Sequence, residues 1–435
     1  MSFYETPANI VRLIKKHVPA SSTKILDPAV GEGALLFSLS AFHLNRQVTI
    51  VDIDDKRLSG VLLRFPKSQT VNEDFLSWSS RGEKRFDLIV ANPPFSGKSH
   101  SRVIYEGRKV PIELAFIRRS VELLEENGSL IAIVPDSLIN SSSFLVDRKW
   151  LFTQGEVRYV YQLPENSFFG IEAAFFLVVF KKAGVGGQLR LRKLEEKGGG
   201  EEITVSKVTL EETGFRLDYL YYAEREVYGE VVKSLGNADL SKLGDICDVS
   251  RGRKRSNYKS SGLIHTDCFE SGFWVRRGKA IDIFNVERWV VAVRRVSRNA
   301  HLTFGIVNAE DEEFCTDCLI IVRPDCRSVS PIEILFYLRV MYSNLHGGFY
   351  LLKGVGAKFL SVEQIKSLPY YRITSIFREE FSEYCNLLFM MDFEGCKKVE
   401  ERVFLKLAGG GNVESFYAVG KSKEKDEEEG VVNYY

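Results

Sequence analysis

Four consecutive residues, Asn92-Pro93-Pro94-Phe95, carry the groups needed to activate an amine. Each proline has a fixed φ and forces the residue before it into an extended conformation, so the Asn92 amide oxygen and the Pro93 carbonyl oxygen are expected to form two rigid, neighbouring acceptors. Phe95 adds a flat apolar surface beside them. Two fixed acceptors and an aromatic ring suit a planar exocyclic amine, such as that of adenine. Because drawing both amine hydrogens toward acceptors localises the nitrogen lone pair, the tetrapeptide predicts amine methylation.

Two predicted strands position this tetrapeptide. Residues 86–91 form an apolar run that reads as a buried parallel strand. Residues 24–37 read as strand, glycine loop and helix, with close backbone approach to a ligand at Gly31 and Gly33. Leu36 replaces the third glycine of a dinucleotide fingerprint, which predicts a ligand without a pyrophosphate. Asp52 ends the next strand, where an acidic residue usually binds ribose hydroxyls.

With these motifs the chain resembles the γ-class adenine-N6 DNA methyltransferases of the TaqI type, from Thr6 to about Phe180 and more loosely in the C-terminal half. The resemblance implies S-adenosylmethionine as the cofactor, with Thr6-Pro7 closing over its methionine end, Asp27 meeting its ammonium group, and Asp74-Phe75 holding its adenine. The implied cofactor site comprises Thr6, Pro7, Asp27, Pro28, Ala29, Gly31, Gly33, Asp52, Ile53, Asp74, Phe75 and Asn92.

The same resemblance places a second aromatic side chain on the far face of the target base. Spacing leaves Phe168 and Phe169 both open, and Phe169 is preferred because a turn at Gly170 should project it. The expected catalytic residues are then Asn92, Pro93, Pro94, Phe95 and Phe169. Residues 96–110 read as a basic loop, in which Lys98 and its neighbours would grip phosphates around an extruded base.

Further along the chain, glycine-rich stretches on both sides of a short charged strand predict a connector. Residues 243–253 and 359–369 then resemble the opening and closing segments of the target-recognition domains of TaqI-type enzymes and of type I restriction specificity subunits. Because the net charge of the whole chain is only +1, a nucleic-acid surface must come from local clusters of basic residues. The expected DNA contacts in these clusters are Arg251, Arg253, Lys254, Arg255, Arg294, Arg295 and Arg298.

A chain of 435 residues exceeds what one hydrophobic core usually serves. The expected fold class is α/β: a Rossmann-like S-adenosylmethionine-dependent methyltransferase domain followed by an α+β DNA target-recognition domain. The predicted boundaries are 1–183 for the first domain, 184–240 for the connector, 241–420 for the second domain, and 421–435 for a charged, disordered tail.

The seven cysteines form an odd, irregular set, which favours reduced thiols in a cytosol-like compartment. Cys315 and Cys318 have the spacing of half a zinc site, but no second ligand pair of comparable spacing exists, so no metal is expected. No apolar window is long enough to span a bilayer, and residues 1–15 do not resemble a signal peptide. The expectation is a cytoplasmic protein, associated with the nucleoid through DNA, with no membrane partner.

Together these features predict an enzyme that methylates adenine N6 in duplex DNA at a specific site after base flipping, within a restriction-modification system. The expected partners are double-stranded DNA and a separate restriction endonuclease, because no endonuclease motif is recognised in the chain. Two alternatives remain open: methylation of an exocyclic amine in structured RNA, of the guanine-N2 type, and a catalytically inert DNA-specificity module.

Overall fold

The computed structural model divides the chain into two compact units, Met1–Tyr219 and Leu220–Tyr435. The residues that it describes are 6–95, 102–164, 167–168, 174–184, 187–194, 200–235, 240–253, 263–270, 273–275, 288–297, 302–343 and 358–408. The expected tail at 421–435 and the predicted site residues Lys98, Phe169, Lys254, Arg255 and Arg298 lie outside these ranges.

The first unit is built on a nine-stranded sheet in the order β11-β10-β8-β9-β7-β4-β1-β2-β3. Its strands are β1 (Lys24–Asp27), β2 (Gln47–Asp52), β3 (Gln69–Asn72), β4 (Phe86–Ala91), β7 (Leu124–Pro135), β8 (Gly155–Gln162), β9 (Phe175–Lys182), β10 (Leu189–Lys193) and β11 (Glu202–Val205). A separate antiparallel hairpin is formed by β5 (Arg102–Tyr105) and β6 (Arg108–Pro111).

Most neighbouring strands of this sheet run parallel, and β9 is antiparallel to both β7 and β8. From β1 the chain moves outward to β2 and β3, then returns to place β4 on the other side of β1. Ligands of such sheets bind outside the carboxyl ends of the strands, at the point where the strand order reverses. The expected Rossmann-like α/β fold is therefore confirmed, and its topology directs attention to the ends of β1 and β4.

The helices of this unit connect the strands and cover the sheet, and those with an apolar stripe bury it. They are Ala8–Lys15, Asp55–Arg64, Phe75–Ser79, Ile112–Leu123, Asp136–Asn140, Leu145–Gln154 and Lys207–Glu212, with 3-10 segments at Ala34–Asn45 and Ser142–Phe144. In Ala8–Lys15, for example, the buried side chains Ile10 and Ile14 are four residues apart and so lie on one face.

Two interpretations from the sequence differ from the structure. The predicted connector at 184–240 contains β10 and β11, which extend the sheet, because Leu189 and Leu191 alternate with charged residues and are buried when β10 pairs with β8. The glycines that flank these strands in the sequence had suggested a linker. The predicted loop at 96–110 contains most of the β5–β6 hairpin, whose turn holds Glu106 and Gly107 at positive φ.

The second unit begins in the helix Tyr219–Ser234 and combines one larger sheet with two small ones and a set of helices. Its six-stranded sheet consists of β13 (Cys247–Arg251), β14 (Phe269–Glu270), β15 (Trp274–Val275), β16 (Trp289–Arg294), β18 (Phe304–Asn308) and β19 (Leu319–Pro324). The small sheets pair β12 (Leu240–Lys242) with β21 (Pro369–Tyr371) and β17 (Val296–Ser297) with β20 (Lys358–Phe359). The described helices are Leu243–Ile246, Pro331–Leu338, Val362–Lys366, Arg378–Phe389 and Phe393–Leu407, with a π turn at Arg339–Ser343 and 3-10 segments at Ala309–Phe314 and Ile373–Ser375.

A buried ion pair lies in the core of this unit. Arg339 donates from Nε to Glu400 at 2.6 Å and from Nη1 to the carbonyl of Phe304 at 2.9 Å. Its guanidinium carbon also lies 3.3 Å from the centroid of the Phe273 ring. The Arg339 cation thereby joins the helix Phe393–Leu407, the strand β18 and the Arg339–Ser343 turn. A buried charge of this kind is tolerated because its partners satisfy it, and either residue alone would be an uncompensated charge.

We therefore expect Arg339→Met to lower the free energy of unfolding of the second unit by about 3–5 kcal/mol, because it leaves the Glu400 carboxylate buried without its cation. The double variant Arg339→Met/Glu400→Met should be more stable than Arg339→Met alone. Hydrogen exchange measured on peptides covering Phe304–Asn308 would report both changes. Arg327→Met, at a side chain that is 94% exposed, is the control and should change stability by less than about 0.5 kcal/mol.

Candidate active site

A cleft of about 890 Å³, including space open to solvent, lies at the carboxyl ends of β1, β2 and β4. Twelve of its lining residues were predicted from the sequence: Thr6, Pro28, Ala29, Gly31, Asp52, Ile53, Asp74, Phe75, Asn92, Pro93, Pro94 and Phe95. Three predicted cofactor residues, Pro7, Asp27 and Gly33, are outside the lining. The chain order alone does not bring these segments together; the return of β4 to the side of β1 does.

Asn92 follows the last residue of β4, and its side chain is oriented by Thr6. The Asn92 Nδ2 atom donates to the Thr6 hydroxyl at 3.1 Å, across 86 residues of sequence. Because Nδ2 points to Thr6, the amide oxygen Oδ1 is directed elsewhere as the acceptor end of the group. Pro7 occupies the N-cap position of the helix Ala8–Lys15, and no side-chain cap bond forms there. The Thr6 hydroxyl is thus used to orient Asn92 rather than to begin the helix.

Phe95 is half-buried at the mouth of a small aromatic cluster. Its ring centroid lies 4.7 Å from that of Phe175 and 6.4 Å from that of Phe168. Phe168 is itself buried in the sheet core and packs edge-on against Phe175. Phe168 therefore supports Phe95 from behind and presents no face to a ligand. The preference for Phe169 over Phe168 as the second stacking ring stays a prediction, since Phe169 lies outside the described residues.

The glycine loop is held against β2 by Asp52. Oδ2 of Asp52 accepts from the backbone N–H of Gly31 at 2.9 Å, and Oδ1 accepts from the backbone N–H of Asp54 at 2.9 Å. Gly31 adopts φ 52°, a left-handed conformation that favours glycine. An ionised carboxylate has about four lone-pair sites, so Asp52 retains acceptor capacity toward the cleft that it lines.

Gly33 was expected to approach a ligand closely, but in the structure it packs against Val61. It has φ 77°, and a Cβ atom placed on it would lie 3.2 Å from Val61, on the side of the neighbouring helix Asp55–Arg64. Glycine is required here by backbone conformation and by helix packing. The sequence identified the right residue, but its contact is with the core rather than with the cleft.

Asp27 ends β1 and is completely buried. Its Oδ1 accepts from the backbone N–H of Ala29 at 3.2 Å, while Oδ2 is buried and has no hydrogen-bond partner among the residues that the structure describes. Burial raises the pKa of this carboxyl to about 7, despite the Ala29 bond, and the Asp52 carboxylate adds to the rise. An orphaned buried carboxylate oxygen fits a cationic ligand group, because such a group would restore the charge balance of the site.

The far wall of the cleft contains residues that sequence reasoning missed. Ile112 and Phe116 line it from the helix Ile112–Leu123, and the Phe116 ring lies 4.8 Å from that of Phe75. Nothing in the sequence indicated that these two apolar residues would face the cleft. Asp74 caps the short helix Phe75–Ser79 through a 2.8 Å bond to the Ser77 N–H, and it also lines the cleft.

The predicted DNA-contacting residues that the structure describes fall into two groups. Arg251 and Arg253 are exposed at the end of β13. Arg295 is half-buried and donates to the carbonyl of Asp317 at 3.2 Å, while Arg294 packs with its guanidinium carbon 5.3 Å from the centroid of the Phe269 ring. The second group therefore makes contacts within its own unit, which leaves Arg251 and Arg253 as the more accessible candidates.

Cys315 is buried and Cys318 half-buried, and burial raises the pKa of the Cys315 thiol to about 12. Over the described ranges, no three His, Cys, Asp or Glu side chains come together in a group that could hold a metal ion. Within the same ranges, no helix combines the length and apolar character needed to cross a membrane.

Comparison with known proteins places these features in a family. Residues 2–197 match the family described as N-6 DNA Methylase. The chain is similar to the type II methyltransferase M.TthHB8I of Thermus thermophilus, with 30% identity over 42% of this chain and 45% of the relative. It is also similar to the modification methylase CviBIII of Paramecium bursaria Chlorella virus NC1A, with 31% identity over 30% of this chain and 35% of the relative. The matches thus span less than half the length of these relatives.

Among solved structures, the type IIG restriction endonuclease BpuSI aligns with 94% of this chain and 67% of its own, at 14% identity and a TM-score of 0.46. The match of residues 2–197 confirms the family resemblance that the motifs from Thr6 to Phe180 predicted. Residues 2–197, slightly less than half of the chain, are thus similar in sequence to the N-6 DNA Methylase family.

Proposed function

We propose that this protein transfers the methyl group of S-adenosylmethionine to N6 of an adenine extruded from duplex DNA, within a restriction-modification system. The observation that carries the proposal is the placement of the Asn92–Phe95 tetrapeptide in one cleft with the glycine loop, Asp52 and Thr6. The residues suited to activating an amine (Asn92–Phe95) and those suited to holding a nucleoside (the glycine loop and Asp52) thus line the same cleft. The names of the two relatives, a methyltransferase and a modification methylase, support the same reaction class.

The residues of the cleft fit the parts of S-adenosylmethionine, which supplies an electrophilic methyl group when bound. The buried Asp27 carboxylate, with its orphaned Oδ2, suits the ammonium group. Asp52 suits the ribose hydroxyls, because an acid at the end of the second strand is placed to accept from them. Phe75, Phe116 and Ile112 offer apolar and aromatic surface to the adenine ring, and Asp74 offers an acceptor to its amine.

The target amine is handled by Asn92, Pro93 and Phe95. The Thr6 hydroxyl accepts from Asn92 Nδ2 and so orients the amide, whose Oδ1 would accept a hydrogen bond from one amine hydrogen. The Pro93 carbonyl oxygen would accept a hydrogen bond from the other, and the two bonds together would localise the nitrogen lone pair. Bound S-adenosylmethionine would supply the methyl group as its carbon–sulfur bond breaks, and the methylated nitrogen would then lose one proton to solvent. Phe95 packs against Phe175 and Phe168, so it offers the extruded base a stacking surface whose position is fixed by these ring contacts.

The second unit is proposed as the target-recognition domain. Exposed Arg251 and Arg253 at the end of β13 begin the densest basic stretch of the chain, and cations grouped in this way are suited to a polyanion. We also propose that cleavage, where it accompanies modification, is carried out by a separate endonuclease.

Mapping methylated adenines in DNA from cells that express the protein tests this proposal. One recurrent sequence carrying N6-methyladenine is the expected result. An unmethylated genome together with methyl transfer to guanine in structured RNA would favour the alternative substrate. Absence of S-adenosylmethionine-induced thermal stabilisation would indicate an inert specificity module.

The Asp27 pKa predicts how cofactor binding depends on pH. A folded-state pKa raised to about 7 means that the carboxyl is protonated below this pH, and the protonated form cannot pair with an ammonium group. Affinity for S-adenosylmethionine should therefore rise roughly tenfold from pH 6 to pH 7.5, as the ionised fraction rises. Calorimetry measures this rise. Asp27→Asn should bind more weakly at pH 7.5 and lose this pH dependence; the same dependence in both proteins would remove Asp27 from the site.

Asn92 and Thr6 should differ in the size of their effects on catalysis. Asn92→Ala removes an acceptor that acts in the transition state, so kcat should fall on the order of a hundredfold to a thousandfold with little change in cofactor or DNA affinity. Thr6→Val removes only the bond that orients Asn92, so a smaller loss of kcat is expected. Thr6→Ser keeps the hydroxyl and should restore most of the rate. Single-turnover methylation measures all three, and a near-normal rate in Asn92→Ala would contradict the assignment.

Arg251 and Arg253 should determine part of the salt dependence of DNA binding. If each contacts a phosphate, Arg251→Gln/Arg253→Gln should reduce the slope of log affinity against log salt concentration by about two. Arg327→Gln/Lys398→Gln removes the same charge from exposed positions of the same unit and serves as the control. Equal slopes for the two double variants would exclude Arg251 and Arg253 from the interface.

A further inference from the structure

The hairpin formed by β5 and β6 has two faces with different chemistry. Its cross-strand pairs are Arg102 with Pro111, Val103 with Val110, Ile104 with Lys109, and Tyr105 with Arg108. Because directly opposite residues share a face of an antiparallel pair, Arg102, Ile104 and Lys109 lie on one side, and Val103, Tyr105 and Arg108 on the other.

The face with Tyr105 and Arg108 anchors the hairpin to the first unit. The Tyr105 hydroxyl donates to Glu122 at 2.8 Å, and Arg108 forms a 2.8 Å ion pair with Asp147. Asp147 is buried and also accepts from Arg118 at 2.9 Å. Contacts to the helices Ile112–Leu123 and Leu145–Gln154 therefore fix the hairpin on this face.

The opposite face, which we call the outward face (Arg102, Ile104 and Lys109), is exposed. Ile104 is 72% exposed, and both cations are exposed as well. Lys109 is directly across from Ile104, and Arg102 is two residues along the same strand, so the apolar side chain has a positive charge on two sides. Arg108, on the anchored face, is paired with Asp147, whereas Arg102 and Lys109 lie on the outward face.

The outward face is close in sequence to the wall of the cleft. β6 ends at Pro111, and the next residue, Ile112, already lines the cleft with Phe116 behind it. The chain thus runs from the outward face to the candidate active site without an intervening segment. Leu63 is even more exposed, at 87%, but it belongs to the helix Asp55–Arg64 and has no such connection.

We propose that the outward face contacts the DNA duplex beside the extruded adenine, with Arg102 and Lys109 on backbone phosphates and Ile104 against the bases that extrusion unstacks. The proposal rests on the proposed function and adds to it the element that stabilises the open duplex. Apolar side chains inserted at a base step, flanked by cations on phosphates, hold distorted DNA in this way. A side chain inserted between bases must be held in place by the protein, and the contacts of Tyr105 with Glu122 and of Arg108 with Asp147 hold the hairpin that carries Ile104.

The test uses the full chain and two duplexes containing the methylation site. One has 2-aminopurine at the target position and reports extrusion by fluorescence; the other has adenine there and reports methylation, because 2-aminopurine lacks the 6-amino group. Ile104→Ser should lower the fluorescence of the extruded base and the single-turnover rate on the order of tenfold, with a smaller loss of DNA affinity. Placing an abasic site opposite the target removes most of the cost of extrusion, so it should restore the rate of Ile104→Ser toward that of the unaltered protein. Leu63→Ser is the matched control, and its fluorescence and rate should equal those of the unaltered protein with and without the abasic site.

The two cations are tested by salt titration. Arg102→Gln/Lys109→Gln should reduce the slope of log affinity against log salt concentration by about two relative to Lys67→Gln/Lys207→Gln, two exposed lysines away from the hairpin. If Ile104→Ser matches Leu63→Ser, or if the abasic duplex gives no rescue, the inference is wrong although the proposed function stands. If the unaltered protein methylates no duplex DNA, the proposed function fails and this inference fails with it.

Discussion

The pairing of β1 with β4 is the constraint on which the candidate site depends. Ile25 lies opposite Leu88 and Leu26 opposite Ile89 in a parallel register, so both strands end at the same edge of the sheet. Asp27 and Asn92, 65 positions apart in sequence, are placed near one another by this register alone. Both strands are buried on both faces, as is typical of parallel strands, so apolar packing on each side of the sheet holds them in place.

Single hydrogen bonds then set the positions of the polar groups within this frame. Asp52 ties the glycine loop to β2 through the Gly31 N–H, and Thr6 orients the Asn92 amide. Both bonds are short-range in space and long-range in sequence. They convert a general strand-end cleft into a site with a defined arrangement of acceptors, which is the form of preorganisation that an amine-activating centre needs.

The buried carboxyl groups Glu400 and Asp27 have different kinds of partner in the two units. In the second unit the Glu400 carboxylate is matched by Arg339, and this pair belongs to the core. In the first unit the Asp27 carboxylate has one backbone donor and an orphaned oxygen, so its charge is not balanced within the protein. A matched buried pair maintains structure, while an unmatched buried carboxylate at the end of a parallel strand is suited to a cationic ligand. The basic side chains divide similarly, with Arg108 and Arg295 used in folding contacts and Arg102, Lys109, Arg251 and Arg253 exposed.

The sequence by itself was enough to predict the fold of the first unit and its resemblance to DNA methyltransferases, because short motifs such as Asn92–Phe95 and Gly31–Gly33 encode local backbone geometry and carry their own hydrogen-bonding groups. It did not reveal that residues 184–240 extend the sheet, since the glycines around β10 and β11 signal a turn or a linker equally well. Nor could it show that Thr6 orients Asn92, that Phe168 packs in the core, or that Ile112 and Phe116 line the cleft. Those outcomes belong to the tertiary structure, because each depends on a partner far away in the chain that only the strand order brings into contact.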